Sequence, residues 1–182
     1  MARPQVNLFG RIFWLLVTFR FRSKTKFFEE SDVGFRVWPS DLDTNLHMNN
    51  GVYLSIMDLA RTDLVLRSGL MKVVKQKGWY PVVASQTIRY RRSLDPFRAF
   101  TVGTQLIGWD ERFFYIQQKF MLGKEVAALA LVKGRFLKKS GGGVYPGDIA
   151  QAMGESPDSP KLADWVHQWT AAEDLSWQMN VG

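Results

Sequence analysis

Between Asp41 and Tyr53 the chain reads Asp-Leu-Asp-Thr-Asn-Leu-His-Met-Asn-Asn-Gly-Val-Tyr, gathering two carboxylates, three amides and one of the protein's two histidines. Asp43, Asn45 and His47 alternate, and the run stops where an apolar pattern of helical period begins. At a helix start the first backbone N–H groups lack intrahelical partners, and the positive end of the helix dipole points outward, so a developing oxyanion is stabilised there. A carboxylate held nearby can deprotonate water or attack a carbonyl carbon, and an imidazole can position that carbonyl or share the proton. Asn and Asp are also the commonest helix N-caps, which accounts for one or two of these residues. Capping does not account for Asp, Asn and His at positions 43, 45 and 47. The set suits acyl transfer.

The elements that must hold this cluster follow from periodicity. Val33 to Trp38 alternates and ends at Pro39, which predicts a short strand. Tyr53, Ile56, Met57, Ala60 and Leu64 recur as one buried helix face, with Asp58, Arg61 and Thr62 off the stripe and Gly69 as the stop. A short apolar stretch from Leu70 to Val74 closes at Gly78. After Pro81 the period becomes two, predicting strands over 82–92, 99–109, 113–122 and 125–138, joined by hairpin-length connections at 94–97, 110–111 and 123–124. One long helix cannot cover both faces of a sheet, so the expected fold is α+β, a curved antiparallel sheet wrapped around a central helix. Ala127, Ala128 and Ala130 supply small side chains for close approach of helix and sheet. An uncovered edge and face point to a homodimer or homotetramer.

Composition bounds the rest. The 182 residues, 46% apolar and 23% charged, suffice for one core-bearing domain with additions. With no cysteine, disulfides, thiol nucleophiles and thiolate metal sites are excluded, and two histidines make an imidazole metal cluster improbable. No metal and no cofactor are expected. The net charge of +7 is unevenly spread: residues 1–26 hold six bases and no acid, residues 141–182 six acids against Lys161. The expected division is a basic apolar head (1–29), the α+β domain (30–140), and a Gly-rich linker with an acidic helical tail (141–182). Within the head, Ile12 to Phe19 is apolar, too short to span a bilayer and without a small-residue cleavage site after it. Arg11 and Arg20 fall on opposite sides of a helical wheel. The segment either packs on the domain or on a partner subunit, or lies on a membrane surface through residues 8–22 with its aromatics inserted. The expected location is cytoplasmic, membrane-peripheral under the second alternative.

The Asp41–Tyr53 motif, D-x-D-x-N-x-H-x-N-N-x-x-Y, resembles that of the hotdog-fold thioesterases, in particular the acyl-carrier-protein and 4-hydroxybenzoyl-CoA thioesterase-like branches. The order of strand, motif, long helix and further strands is similar to the hotdog order across about residues 30–138. The resemblance implies hydrolysis of a fatty-acyl thioester carried by coenzyme A or acyl-carrier protein. It places Asp43 at the carboxylate base or nucleophile, Asn45 and His47 at the positioning amide and imidazole, and the N–H near Asn50 at the oxyanion. Asn49 and Tyr53 are implied substrate contacts. The strand Ile88-Arg89-Tyr90-Arg91-Arg92 is also similar to the family's, but Ser93-Leu94 stands where that branch has a catalytic Glu-Cys pair, which moves the chemistry onto Asp43.

Arg89, Arg91 and Arg92, with Lys138 and Lys139, are candidate partners for a carrier's phosphates, since guanidinium forks match phosphate geometry; alternating arginines also describe a solvated strand face. The acyl chain is expected along the helix, near Tyr53 and Met57. Two other functions compete. Lys133-Gly134-Arg135-Phe136 is faintly like an RNA-recognition strand, but the rest of that pattern is missing, and no nucleic-acid partner is expected. A non-catalytic acyl-thioester-binding or membrane scaffold protein of the same fold is the stronger rival.

Overall fold

The computed structural model describes residues 8–181. Helix α1 (Leu8–Thr18) and strand β1 (Ser31–Arg36) lead to the long helix α2 (Asn50–Arg67) and the short α3 (Leu70–Lys77). Four strands follow: β2 (Trp79–Tyr90), β3 (Ala99–Trp109), β4 (Phe114–Leu122) and β5 (Glu125–Lys138). The tail adds β6 (Gly143–Val144), α4 (Pro146–Ala152) and α5 (Asp164–Val181).

Helix α2 forms where the apolar period requires it. All five stripe residues are buried, and Gly69, at φ +82°, adopts the left-handed conformation that ends the helix. The sheet is antiparallel, in the order β1-β3-β4-β5-β2, with β6 beside β5 beyond the end of β4. Bulges at Ala84 in β2 and Ile107 in β3 help it curl around α2. The three core alanines sit against the helix: Ala127, Ala128 and Ala130 share one apolar cluster with Tyr53, Ile56 and Met57.

Two of the three expected hairpins form, β3–β4 and β4–β5. The connection 91–98 is not the third. It carries the chain from β2, at one edge of the sheet, to β3, whose partners are β1 and β4. The cause is Leu94, which is fully buried, and whose carbonyl accepts the Met48 N–H at 3.0 Å. Connection length alone could not distinguish a turn from a crossing that drops an apolar residue under the helix start.

The flanking segments pack on the domain. Arg11 grips Asp41, and Phe27 joins Trp109, Phe114 and Ile149 in a second cluster at the α3 end. Helix α5 lies on the outer face of the sheet, where Leu162 and Val166 meet Tyr115 and Leu131. Its approach requires glycine at 108: a Cβ there would stand 2.8 Å from Leu162 Cδ2 and 3.1 Å from the Pro160 carbonyl oxygen. Lys133, in the segment that is faintly like an RNA-binding strand, is only 4% exposed and faces Glu173 and Asp174 of α5 at 3.8 and 3.5 Å, so it presents no basic surface.

Candidate active site

The polar cluster folds as a tight loop leading into α2. Leu42 and Met48 form an antiparallel bridge, the Asp43 N–H donates to the His47 carbonyl at 2.9 Å, and Leu46 N–H returns to the Asp43 carbonyl at 3.1 Å. One carboxylate oxygen of Asp43, Oδ1, accepts the N–H groups of Asn45 (2.8 Å) and His47 (3.3 Å). The short Asp side chain thereby closes the turn that its own backbone begins. Oδ2 accepts nothing among the described residues, and Asp43 is half-buried at the loop's base.

The loop is anchored from beneath. Asp41 is 1% exposed, and its carboxylate takes Arg11 Nη2 at 2.5 Å, Arg11 Nη1 at 3.1 Å and the Trp38 N–H at 2.8 Å. Its carbonyl accepts the Asn49 N–H at 2.8 Å. Asn49, an implied substrate contact, caps α2: its Oδ1 accepts the Gly51 N–H at 2.8 Å. The Val52 N–H bonds the Asn49 carbonyl, while the Asn50 N–H donates to no group among the described residues. One donor at the positive helix end thus remains available beside the loop.

Asn45, His47 and Asn50 are exposed around this loop, and the structure brings Asp43, Asn45, His47 and Asn50 together. Tyr53 lies beneath them, its hydroxyl reaching the Leu94 backbone. It is 3% exposed, packed edge-on against Tyr90 with ring centroids 4.9 Å apart, and its hydroxyl pKa is pushed up to about 12 by burial, with Tyr90 adding to the effect. Tyr53 and Met57 therefore fill the core and do not line a tunnel. The apolar cavity lies further along α2, lined by Asp58, Arg61 and Thr62, by α3, and by Pro81 to Val83 of β2; its volume is about 210 Å³.

The arginines do not converge in one chain. Arg89 is exposed and alternates with Ile88, which faces the core, so it lies on the outer sheet face with Ser85, a partner of Glu173 on α5. Arg92 is paired with Glu125. Arg91 is exposed and makes no side-chain bond among the described residues. Lys138 and Lys139 stand at the Trp79 end of the twelve-residue β2, about 36 Å from the Tyr90 end that adjoins the loop.

One acid near the loop escaped the reading of the sequence. Asp95 places Oδ1 3.9 Å from His47 Nε2, although Ser93-Leu94 seemed to leave the histidine without a downstream carboxylate. Its only signal in sequence was an Asp-Pro turn, which says nothing of what the turn faces. Among the described residues no group of three or more His, Asp or Glu is arranged to hold a metal.

A curled antiparallel sheet around one long helix, with a polar loop at the helix start, defines a hotdog-fold protein. The chain belongs to the thioesterase-like superfamily, whose model matches residues 37–170. It is 36% identical over 145 residues to the protein THEM6 of Xenopus laevis, covering 78% of this chain and 68% of that one. Among solved structures it is similar to the probable thioesterase YbaW of Escherichia coli (TM-score 0.64, 23% identity, 67% of this chain and 95% of that). It is also similar to SAV2348 of Staphylococcus aureus, solved in complex with CoA (TM-score 0.60, 14% identity, 78% of this chain and 92% of that).

Proposed function

We propose that the protein is an acyl thioesterase, with Asp43 as base or nucleophile. The observation that carries this reading is the division of labour within the Asp43 carboxylate. Oδ1 holds the loop in shape, Oδ2 accepts no hydrogen bond among the described residues, and the loop leads into a helix whose first N–H has no partner among them either. Attack by water or by Asp43 at the thioester carbonyl carbon forms the C–O bond and puts negative charge on the oxygen, which the Asn50 N–H stabilises. Collapse breaks the C–S bond and the thiolate leaves with a proton: in the water route it is the proton that Asp43 took from the water, and in the nucleophile route water then cleaves the acyl–Asp43 anhydride to the free acid and the carboxylate. Asn45 and His47 orient the carbonyl and the water. The acyl tail enters the apolar cavity between α2 and β2, whose lining on the helix starts at Asp58, about 12 Å from Asn50.

The working unit in this reading is a homodimer. Strand β2 is an edge of twelve residues, paired among the described residues only with β5, with Tyr80, Val83 and Tyr90 exposed along it. Antiparallel pairing of two such edges about a central two-fold axis sets the Trp79 end of one against the Tyr90 end of the other. Each Asp43 loop then stands beside the other protomer's cavity and its Lys138 and Lys139, where Arg91 and those lysines can meet a phosphorylated carrier. The SAV2348 complex favours coenzyme A as that carrier.

No described helix is long and apolar enough to cross a membrane. Helix α1 nevertheless turns Phe13, Trp14, Leu16 and Val17 outward, each 46% or more exposed, while Leu15 is buried. Arg11 points inward to Asp41, so it does not interrupt this apolar face as the helical wheel implied. We place the protein in the cytoplasm, peripheral to a membrane through α1. The test of the activity is thiol release from a panel of acyl-CoA esters of graded chain length. Saturable acyl-CoA binding with no thiol released from any ester would establish the binding-only alternative.

A further inference from the structure

Among the described residues, only two that are not glycine have a positive φ: Leu46 at +59° and Phe97 at +61°. Left-handed backbone is unfavourable for bulky side chains and persists where the surroundings over-determine it. Neither side chain repays that cost by filling the core, since Leu46 is 66% and Phe97 56% exposed. What the two residues share is location. Leu46 immediately precedes His47, and Phe97 lies two residues after Asp95; these are the two side chains that the loops bring face to face.

Both loops are held at this juncture. Leu94 is fully buried, and its carbonyl takes the Met48 N–H, which ties the Asp95 turn to the His47 loop. The Phe97 N–H donates to the Val37 carbonyl at 2.9 Å, and its own carbonyl accepts Arg36 Nη1 at 2.7 Å. The Asp95 carbonyl closes the turn by accepting the Arg98 N–H at 3.2 Å. Asp95 itself has a 68% exposed side chain and, among the described residues, no hydrogen bond through its carboxylate, so the turn presents that carboxylate to His47.

The geometry points to Asp95 as a positioning residue for His47, an inference that rests on the thioesterase reading. The 3.9 Å separation from Nε2 is about 1 Å beyond a hydrogen bond, of the kind that tightens when substrate closes a site. An Nε2–H donated to Asp95 fixes the neutral tautomer and leaves Nδ1 as the acceptor. Nδ1 is then the nitrogen that takes the O–H of the attacking water and turns its oxygen toward the thioester carbon.

Two measurements test this on the full chain. The first is the NMR spectrum of the imidazole nitrogens, which come only from His47 and His167, the latter exposed on α5 and serving as internal reference. Asp95→Ala is expected to move the His47 nitrogens toward an even mixture of tautomers and leave His167 unchanged; Asp95→Glu restores the wild-type pattern. Identical His47 signals in wild type and Asp95→Ala overturn the proposal. The second is acyl-CoA hydrolysis. Asp95→Ala is expected to lower kcat about 10- to 100-fold, as when an outer partner that orients an imidazole is lost, with KM within about twofold and recovery in Asp95→Glu. Undiminished kcat, or a change confined to KM, also overturns it. A wild-type protein that releases no thiol from any ester refutes hydrolysis itself, while the ring nitrogens still decide whether Asp95 sets the tautomer.

Discussion

Replacing Asp43 by Asn and by Ala separates chemistry from geometry, because the carboxylate has two oxygens with different work. Asn retains an acceptor at the Oδ1 position, so the bonds from Asn45 and His47 survive, and stability should change by no more than about 0.5 kcal/mol. Ala removes both. At about 1 kcal/mol per bond, discounted because the donors are exposed and can turn to water, the loss is about 1 kcal/mol. With a urea slope of about 2 kcal/mol per molar, Asp43→Ala moves the unfolding midpoint down by about 0.5 M and Asp43→Asn leaves it in place. Activity should divide the other way. Both variants lose the base or nucleophile, worth about 10²- to 10⁴-fold in rate. Thiol release read with a coloured thiol reagent is clean here, since the protein has no cysteine of its own to react. A folded Asp43→Asn protein that turns over within tenfold of wild type refutes Asp43 as base or nucleophile. Equal loss of stability in the two variants refutes the role given to Oδ1.

Three further outcomes are expected. Asp63 is fully buried between Arg22 Nη1 (2.6 Å), Arg67 Nη1 (3.1 Å) and Ser31 Oγ (2.8 Å), so Asp63→Ala strands two guanidinium groups and should cost about 3 kcal/mol in urea unfolding; a midpoint within about 0.3 M of wild type would show that the cluster contributes little. Joint substitution of Phe13 and Trp14 by Ser should reduce sedimentation with vesicles containing anionic lipid while leaving thermal unfolding unchanged, and undiminished sedimentation removes α1 as the contact. Tyr53 remains neutral in the fold to about pH 12 but ionises near pH 10 once unfolded. Its contribution to stability is therefore complete below pH 10 and is lost as pH rises toward 12; Tyr53→Phe should flatten that alkaline decline, and an unchanged decline places its origin in other groups.

The parts of the fold that were legible in sequence are those written in local period. The face of α2, its stop at Gly69 and the extents of β3 and β5 all follow from spacings of two or of three and four. The parts that were not legible depend on partners far along the chain. Arg11 and Asp41 are thirty residues apart, Arg22 and Asp63 forty-one, and no local pattern links a base in an apolar head to an acid in a polar loop. Arg89 and Arg91 looked like one phosphate clamp with Arg92 until strand alternation put Arg89 on the outer face and Glu125 took Arg92. The motif located the polar loop, but Asn49 proved to be its cap and Tyr53 its foundation. Asp95 was hidden by the burial of Leu94, which only the completed fold reveals.

The grip of Arg11 on Asp41 changes what the basic head means for handling this protein. Trimming the chain after residue 22, the natural cut for anyone wishing to discard an apolar leader, removes Arg11 and Arg22 together, which leaves Asp41 without its counter-charge and Asp63 with Arg67 alone. One of those carboxylates lies two residues before Asp43 and braces its loop. Loss of activity in so shortened a protein would then report a collapsed support and not a severed membrane tether, and the same damage would follow a protease cutting there. Detergent or lipid that pulls on α1 acts through that guanidinium on the loop below it, so the surface chosen to purify the protein becomes a variable in its assay.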